Sequence, residues 1–144
     1  MSNTISTKKC KRGLATLWLS IGLFLFLIMI VQSLGGKYGE KAEEAWKWFL
    51  PTLLPTLLLI VGVLVADATS ASKTGRRVDR FVFQIAFGLS LLYLLLVAVT
   101  LFYQPFSRQT PLQFMSLSNL WLGPFQGLVA AALGAFFTKA EKAE

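Results

Sequence analysis

Asp67, Asn119 and Gln126 are the side chains best placed to do something other than pack, because each sits within or at the edge of a long apolar run. A neutral Asn or Gln in that setting can hydrogen-bond a neighbouring helix or wet a path between helices. A carboxylate at the rim of such a path can bias which ions enter it. This is the chemistry of contact and passage. Bond-breaking chemistry asks for an activated nucleophile, a base or a Lewis acid. The chain has no histidine, one cysteine, and acidic residues only at the edges of its apolar runs. It shows no Ser/His or Cys/His pair, no metal-ligand cluster and no phosphate loop. The expectation is a protein that is not an enzyme, with no catalytic residues, no metal and no cofactor. Cys10 lies among Lys8, Lys9, Lys11 and Arg12, neighbours that favour the thiolate; it is read as an incidental residue of a mobile head.

The elements that position these residues are apolar and long. Of 144 residues 55% are hydrophobic, and the mean hydropathy is +0.62; soluble domains are roughly 45–50% apolar with charge interleaved throughout. A helix needs about 20 residues to cross the hydrocarbon core, and four uncharged runs meet that length, near 14–34, 49–66, 81–103 and 119–138. The fold class is therefore an all-α integral membrane protein, a bundle of four transmembrane helices with short interfacial helices in its two outer loops. Residues 1–13 form a basic head, 14–138 the four-span domain and 139–144 a tail. The net charge of +7 comes in islands. Ten of the fourteen basic residues fall on the head, the 67–80 loop and the tail, and four on the other two loops. The positive-inside rule then places head and tail in the cytoplasm, in a multi-pass protein of the plasma (bacterial inner) membrane. Basic islands so placed serve topology and anionic headgroups, not nucleic acid.

Local signals refine this outline. Trp18 is expected near the inner headgroups. Tyr38, Ala42, Ala45, Trp46 and Phe49 recur at helical spacing, which predicts a short surface helix over 37–49, an amphipathic collar leading into span two, with Glu43 paired to Lys47. Pro51 and Pro55 open the second span. Pro55 lies deep enough to kink it, and Thr52 and Thr56 are candidates to satisfy the freed carbonyls. Asp67 meets the negative end of its helix dipole, with Lys73, Arg76 and Arg77 as candidate partners. Asp79 reads as the N-cap of span three. That span looks lipid-facing, with Gln84 and Gly88 marking its packing face. Thr110-Pro111 has the order of a cap followed by a first-turn proline, predicting a short helix over 111–118 with Leu112, Met115 and Leu117 towards lipid. A single helix over 111–138 would be about 42 Å long, so a break at Gly123-Pro124 is expected. Gly123, Pro124 and Pro55 are the candidate hinges.

Gly123, Gly127, Ala131 and Ala135 fall every fourth residue and form one small-residue stripe, widened by Ala130 and Gly134. Such a stripe lets another backbone approach closely and drives association inside a bilayer. The leading expectation is a homo-oligomeric pore or channel-like protein. Asn119, Gln126 and Thr138 would line it, Asp67 would ring its cytoplasmic mouth, and a partner or membrane disturbance would trigger it. This plan is similar in architecture alone to that of phage holins. Small multidrug antiporters share the size, but their working glutamate lies in the first span, where this chain offers only apolar residues with Ser20 and Gly22. The alternative is a non-conducting subunit or anchor of a larger complex, engaged through the outer loops or the cytoplasmic basic loop, in which Gln126 joins helices.

Overall fold

The computed structural model describes residues 4–69, 77–103 and 108–142. Strand β1 (Thr4–Ser6) leads into α1 (Thr7–Leu34); a one-turn 3-10 helix (Gly39–Lys41) leads into α2 (Ala42–Thr69). Strand β2 (Arg77–Asp79) precedes α3 (Arg80–Phe102), and α4 (Pro111–Lys142) completes the described chain. All four α-helices are long and apolar enough to cross a membrane. The helices pack as a closed square: α1 on α2 and α3, α4 on α2 and α3.

Local chemistry sets the ends of the helices. The Asp79 carboxylate accepts from the Phe81 N–H at 2.9 Å and so caps α3. Thr110 and Gln113 exchange bonds, Thr110 Oγ1 accepting from Gln113 N and Gln113 Oε1 from Thr110 N, which is a capping box one residue ahead of Pro111. α1 ends on a Gly35-Gly36 pair. Gly36 takes φ +75°, which lets the Lys37 and Gly36 N–H groups turn back onto Gln32 and Ser33.

Apolar side chains face both ways, as a bilayer requires. The core holds Trp18, Leu25, Met29, Phe49, Tyr93, Val97, Leu133 and Phe136, while Leu23, Leu58, Leu95, Leu120 and other large apolar residues cover the outside of all four helices. Exposed to water, such a surface would favour aggregation; exposed to acyl chains it is satisfied.

Several expectations are corrected. Among the described residues, the segments 42–49 and 111–118 are not separate interfacial helices. The 42–49 segment is the first two turns of α2, and its apolar face packs inward, with Ala45, Trp48 and Phe49 buried and Phe26 against Trp46 and Phe49 at 5.4 and 6.0 Å. Likewise 111–118 is continuous with the fourth span. α4 runs 32 residues through Gly123 and Pro124 without a break, about 48 Å of helix; its ends extend past the hydrocarbon. Met115, expected towards lipid, is buried; Leu112 is half-buried and only Leu117 is exposed.

Trp18 is fully buried against Tyr93, 6.1 Å between rings, so its ring faces the interior of the bundle. α3 packs through Ala86, Ser90, Tyr93, Leu94 and Val97, whereas Gln84 and Gly88 are exposed. The head is ordered from Thr4, since β1 pairs antiparallel with β2 in the register Thr4↔Asp79, Ile5↔Val78, Ser6↔Arg77. Cys10 is accordingly buried in α1 and is not an accessible thiol. Because β2 also contacts α4, β1, β2 and the C-terminal part of α4 share one end of the bundle.

Candidate functional site: a polar node beside a small-residue face

Polar groups meet where α2, α3 and α4 converge. The sequence explains why they are needed. Pro55 has no N–H, so the carbonyl of Pro51 loses its helical partner, and inside a membrane such a group must be paired from elsewhere. Gln126 of α4 supplies the partner: its Nε2 donates to Pro51 O at 3.1 Å and, more weakly, to Thr52 O at 3.4 Å. Tyr93 of α3 donates its hydroxyl to the same Thr52 O at 2.8 Å. Its ring stacks on Phe125, the neighbour of Gln126, at 6.5 Å and 7°. One turn away, Trp48 Nε1 donates to Ser118 Oγ at 3.1 Å, and Ser118 Oγ in turn to Met115 O at 2.6 Å. Thr52 Oγ1 donates to Trp48 O at 2.6 Å. The threonine expected to rescue a proline-freed carbonyl therefore bonds a different one, and the long amide of Gln126 does the rescuing.

The other expected residues lie apart. Asn119 is exposed on the N-terminal half of α4, in the register of the small-residue stripe. Asp67 is exposed near the end of α2, 19 residues beyond Trp48, about 28 Å along the axis. Its partner is Lys11 of α1, at 2.8 Å, with the lysine side chain 11% exposed. Arg77, a candidate partner, lies instead in β2; Lys73 and Arg76 fall outside the described residues. Glu43 and Lys47 form the expected pair at 2.7 Å. Thr138 bonds back to Gly134 O at 2.7 Å. Gln126 and the α2 backbone are thus brought together, while Asn119 and Asp67 stay distant from each other.

Gly123, Gly127, Ala131 and Ala135 all face outward, as do Ala130 and Gly134. A Cβ placed on Gly123, Gly127 or Gly134 would meet nothing within 4 Å, so the stripe packs on no helix of its own chain. The close helix approach is elsewhere. Gly22 of α1 faces Leu57 of α2, and a Cβ there would lie 3.1 and 3.3 Å from the two leucine methyls. Beside the stripe a shallow crevice of about 340 Å³ lies between Pro55, Thr56, Leu59, Gln126, Gly127 and Ala130.

At the end carrying the α1–α2 turn, Lys37 Nζ donates to the α3 carbonyl of Leu101 at 3.0 Å, and Tyr38 OH to Gln32 Oε1 at 2.6 Å. Burial lowers the Lys37 pKa below the usual lysine value and pushes that of Tyr38 up to about 12.

Sequence reasoning missed Tyr93, Trp48, Ser118 and Lys11 as parts of these networks. A signal existed for the first three, since each puts a hydrogen-bonding group into an otherwise apolar run. Among the described residues no group of three His, Cys, Asp or Glu could hold a metal ion. The chain matches no family model, and no curated protein or solved structure matches it.

Proposed function

We propose that this protein is a membrane subunit that works by assembly and not by catalysis, with α4 as the contact between copies. The observation that carries this is the outward stripe of Gly123, Gly127, Ala131 and Ala135, which no helix of the same chain covers. In lipid, association rests on close packing and interhelical hydrogen bonds, and this face offers the first along about three and a half turns. The end bearing β1 and β2 is assigned to the cytoplasm of a plasma membrane, on the positive-inside argument. The test is native mass in detergent of wild type beside Gly127→Leu. A side chain there enters open space in the protomer, so lost oligomers with unchanged helicity support the contact, and unchanged mass refutes it.

A pore is the second reading, favoured by one observation: Asn119 and Gln126 are seven residues apart, two helical turns, and so fall on one side of α4 next to the stripe. In a closed ring they would border a shared path. Gly123, Pro124 and Pro55 would then be its flexing points and Asp67 its cytoplasmic rim. Within one protomer the Gln126 amide is already engaged by α2, which is why assembly without conduction stands first. Ion flux through purified protein in liposomes separates the two. Flux that Gly127→Leu abolishes favours the pore, and a reversal potential unmoved by Asp67→Asn would take Asp67 out of its path.

A further inference from the structure

A second cleft lies away from the polar node, at the end carrying the α1–α2 turn. It encloses about 570 Å³, within the range of small-ligand sites, roughly 300–1,000 Å³. Two elements distant in sequence build it. The α1–α2 turn and the start of α2 contribute Lys37, Lys41 and Glu44, and the start of α4 contributes Thr110, Gln113 and Ser116.

Its charges are arranged for a ligand of both signs. Lys41 and Glu44 are exposed and three residues apart, yet they form no ion pair with each other within 4 Å. Lys37 is fixed by its bond to Leu101 O, which leaves two of the three ammonium protons for another acceptor. The capping box ties the Gln113 carbonyl oxygen to Thr110 N, leaving the amide NH2 as a donor. One wall of the cleft thus carries two ammonium groups and the Glu44 carboxylate, and the wall from α4 carries hydroxyl and amide donors.

The depth also fits. The Leu101 carbonyl is at the end of α3, and Tyr103 stacks on Phe114 at 5.7 Å beside the cleft, aromatics of the kind that mark the membrane–water boundary. Leu112 lines the cleft as an apolar wall.

From these observations we infer that the cleft binds a phospholipid headgroup carrying both a phosphate and a primary ammonium. The phosphate lies towards Lys37 and Lys41, and the ammonium donates to Glu44. A headgroup with phosphate alone leaves Glu44 facing an anion. A quaternary ammonium has no N–H to donate to it.

The test uses the full chain in nanodiscs of equal parts phosphatidylethanolamine, phosphatidylglycerol and phosphatidylcholine, with lipids retained on extraction counted by native mass spectrometry. Wild type should retain phosphatidylethanolamine in preference to both others. Glu44→Gln should lose the preference over phosphatidylglycerol, and Lys41→Gln should weaken retention of phosphatidylethanolamine by about tenfold, as for loss of a charge-assisted bond. Both positions are exposed, so circular dichroism should be unchanged. Equal retention of the three lipids, or a preference that survives Glu44→Gln, overturns the proposal. Soluble phosphoethanolamine added as competitor identifies the source: displacement shows that the headgroup alone suffices, and failure to displace a selectively retained lipid shows that the acyl chains are required.

Discussion

Gln126 shows how much one side chain decides in this molecule. Its bond to Pro51 O exists because Pro55 cannot make it. Gln126→Leu should therefore cost about 1–2 kcal/mol in equilibrium unfolding. In a Pro55→Ala background, where residue 55 regains its N–H, the same change should cost markedly less; equal costs would show that Gln126 does not serve the proline-freed carbonyl. Ser90 supplies the contrast. Its hydroxyl is buried with no hydrogen-bond partner, so Ser90→Ala should be neutral or stabilising in the same assay, and a clear loss would reveal a partner. The Lys11–Asp67 bridge is half exposed on the Asp side. Asp67→Asn and Lys11→Gln should each cost about 1 kcal/mol or less, and together no more than either alone; additive losses would mean the two groups act separately. None of these pairings could be read from the sequence, since Gln126 is 75 residues from Pro51 and Lys11 is 56 from Asp67. The caps at Asp79 and Thr110 and the Glu43–Lys47 pair were legible, because their partners lie within four residues.

At the scale of helices, the two glycine-bearing contacts make opposite predictions. Gly22 sits under Leu57, so Gly22→Val overpacks the α1–α2 contact and should destabilise the protomer by about 1–3 kcal/mol. Gly127 faces open space and a leucine there should leave protomer stability unchanged. Thermal unfolding of both variants checks the pair, and a destabilised Gly127→Leu would mean that the face is packed within the chain. The four spans were legible from length and hydropathy. The direction of each apolar face was not. In water an apolar stripe points to the core, but in a bilayer lipid and protein interior are equally apolar. Hence the face of Tyr38, Ala45 and Phe49, expected towards the interface, turns inward, while Gln84 and Gly88, expected to pack, turn outward. The β1–β2 ribbon was invisible for a simpler reason: three residues on each side carry no usable alternation.

The described residues form four helices closed in a square, apolar inside and out, with a polar node where α2, α3 and α4 converge. Among the described residues, the small-residue face of α4 is left bare after packing. An assembled state follows from it if lipid is the poorer partner for that face than a second helix. On the proposed reading, Asn119 in the register of that face and Gln126 beside it bear on what kind of assembly results. Native mass spectrometry of wild type and Gly127→Leu, released from the same lipid nanodiscs, tests this most directly. The account predicts oligomers for wild type and monomers for a Gly127→Leu protein of equal helicity and thermal stability. Identical masses for the two would contradict it.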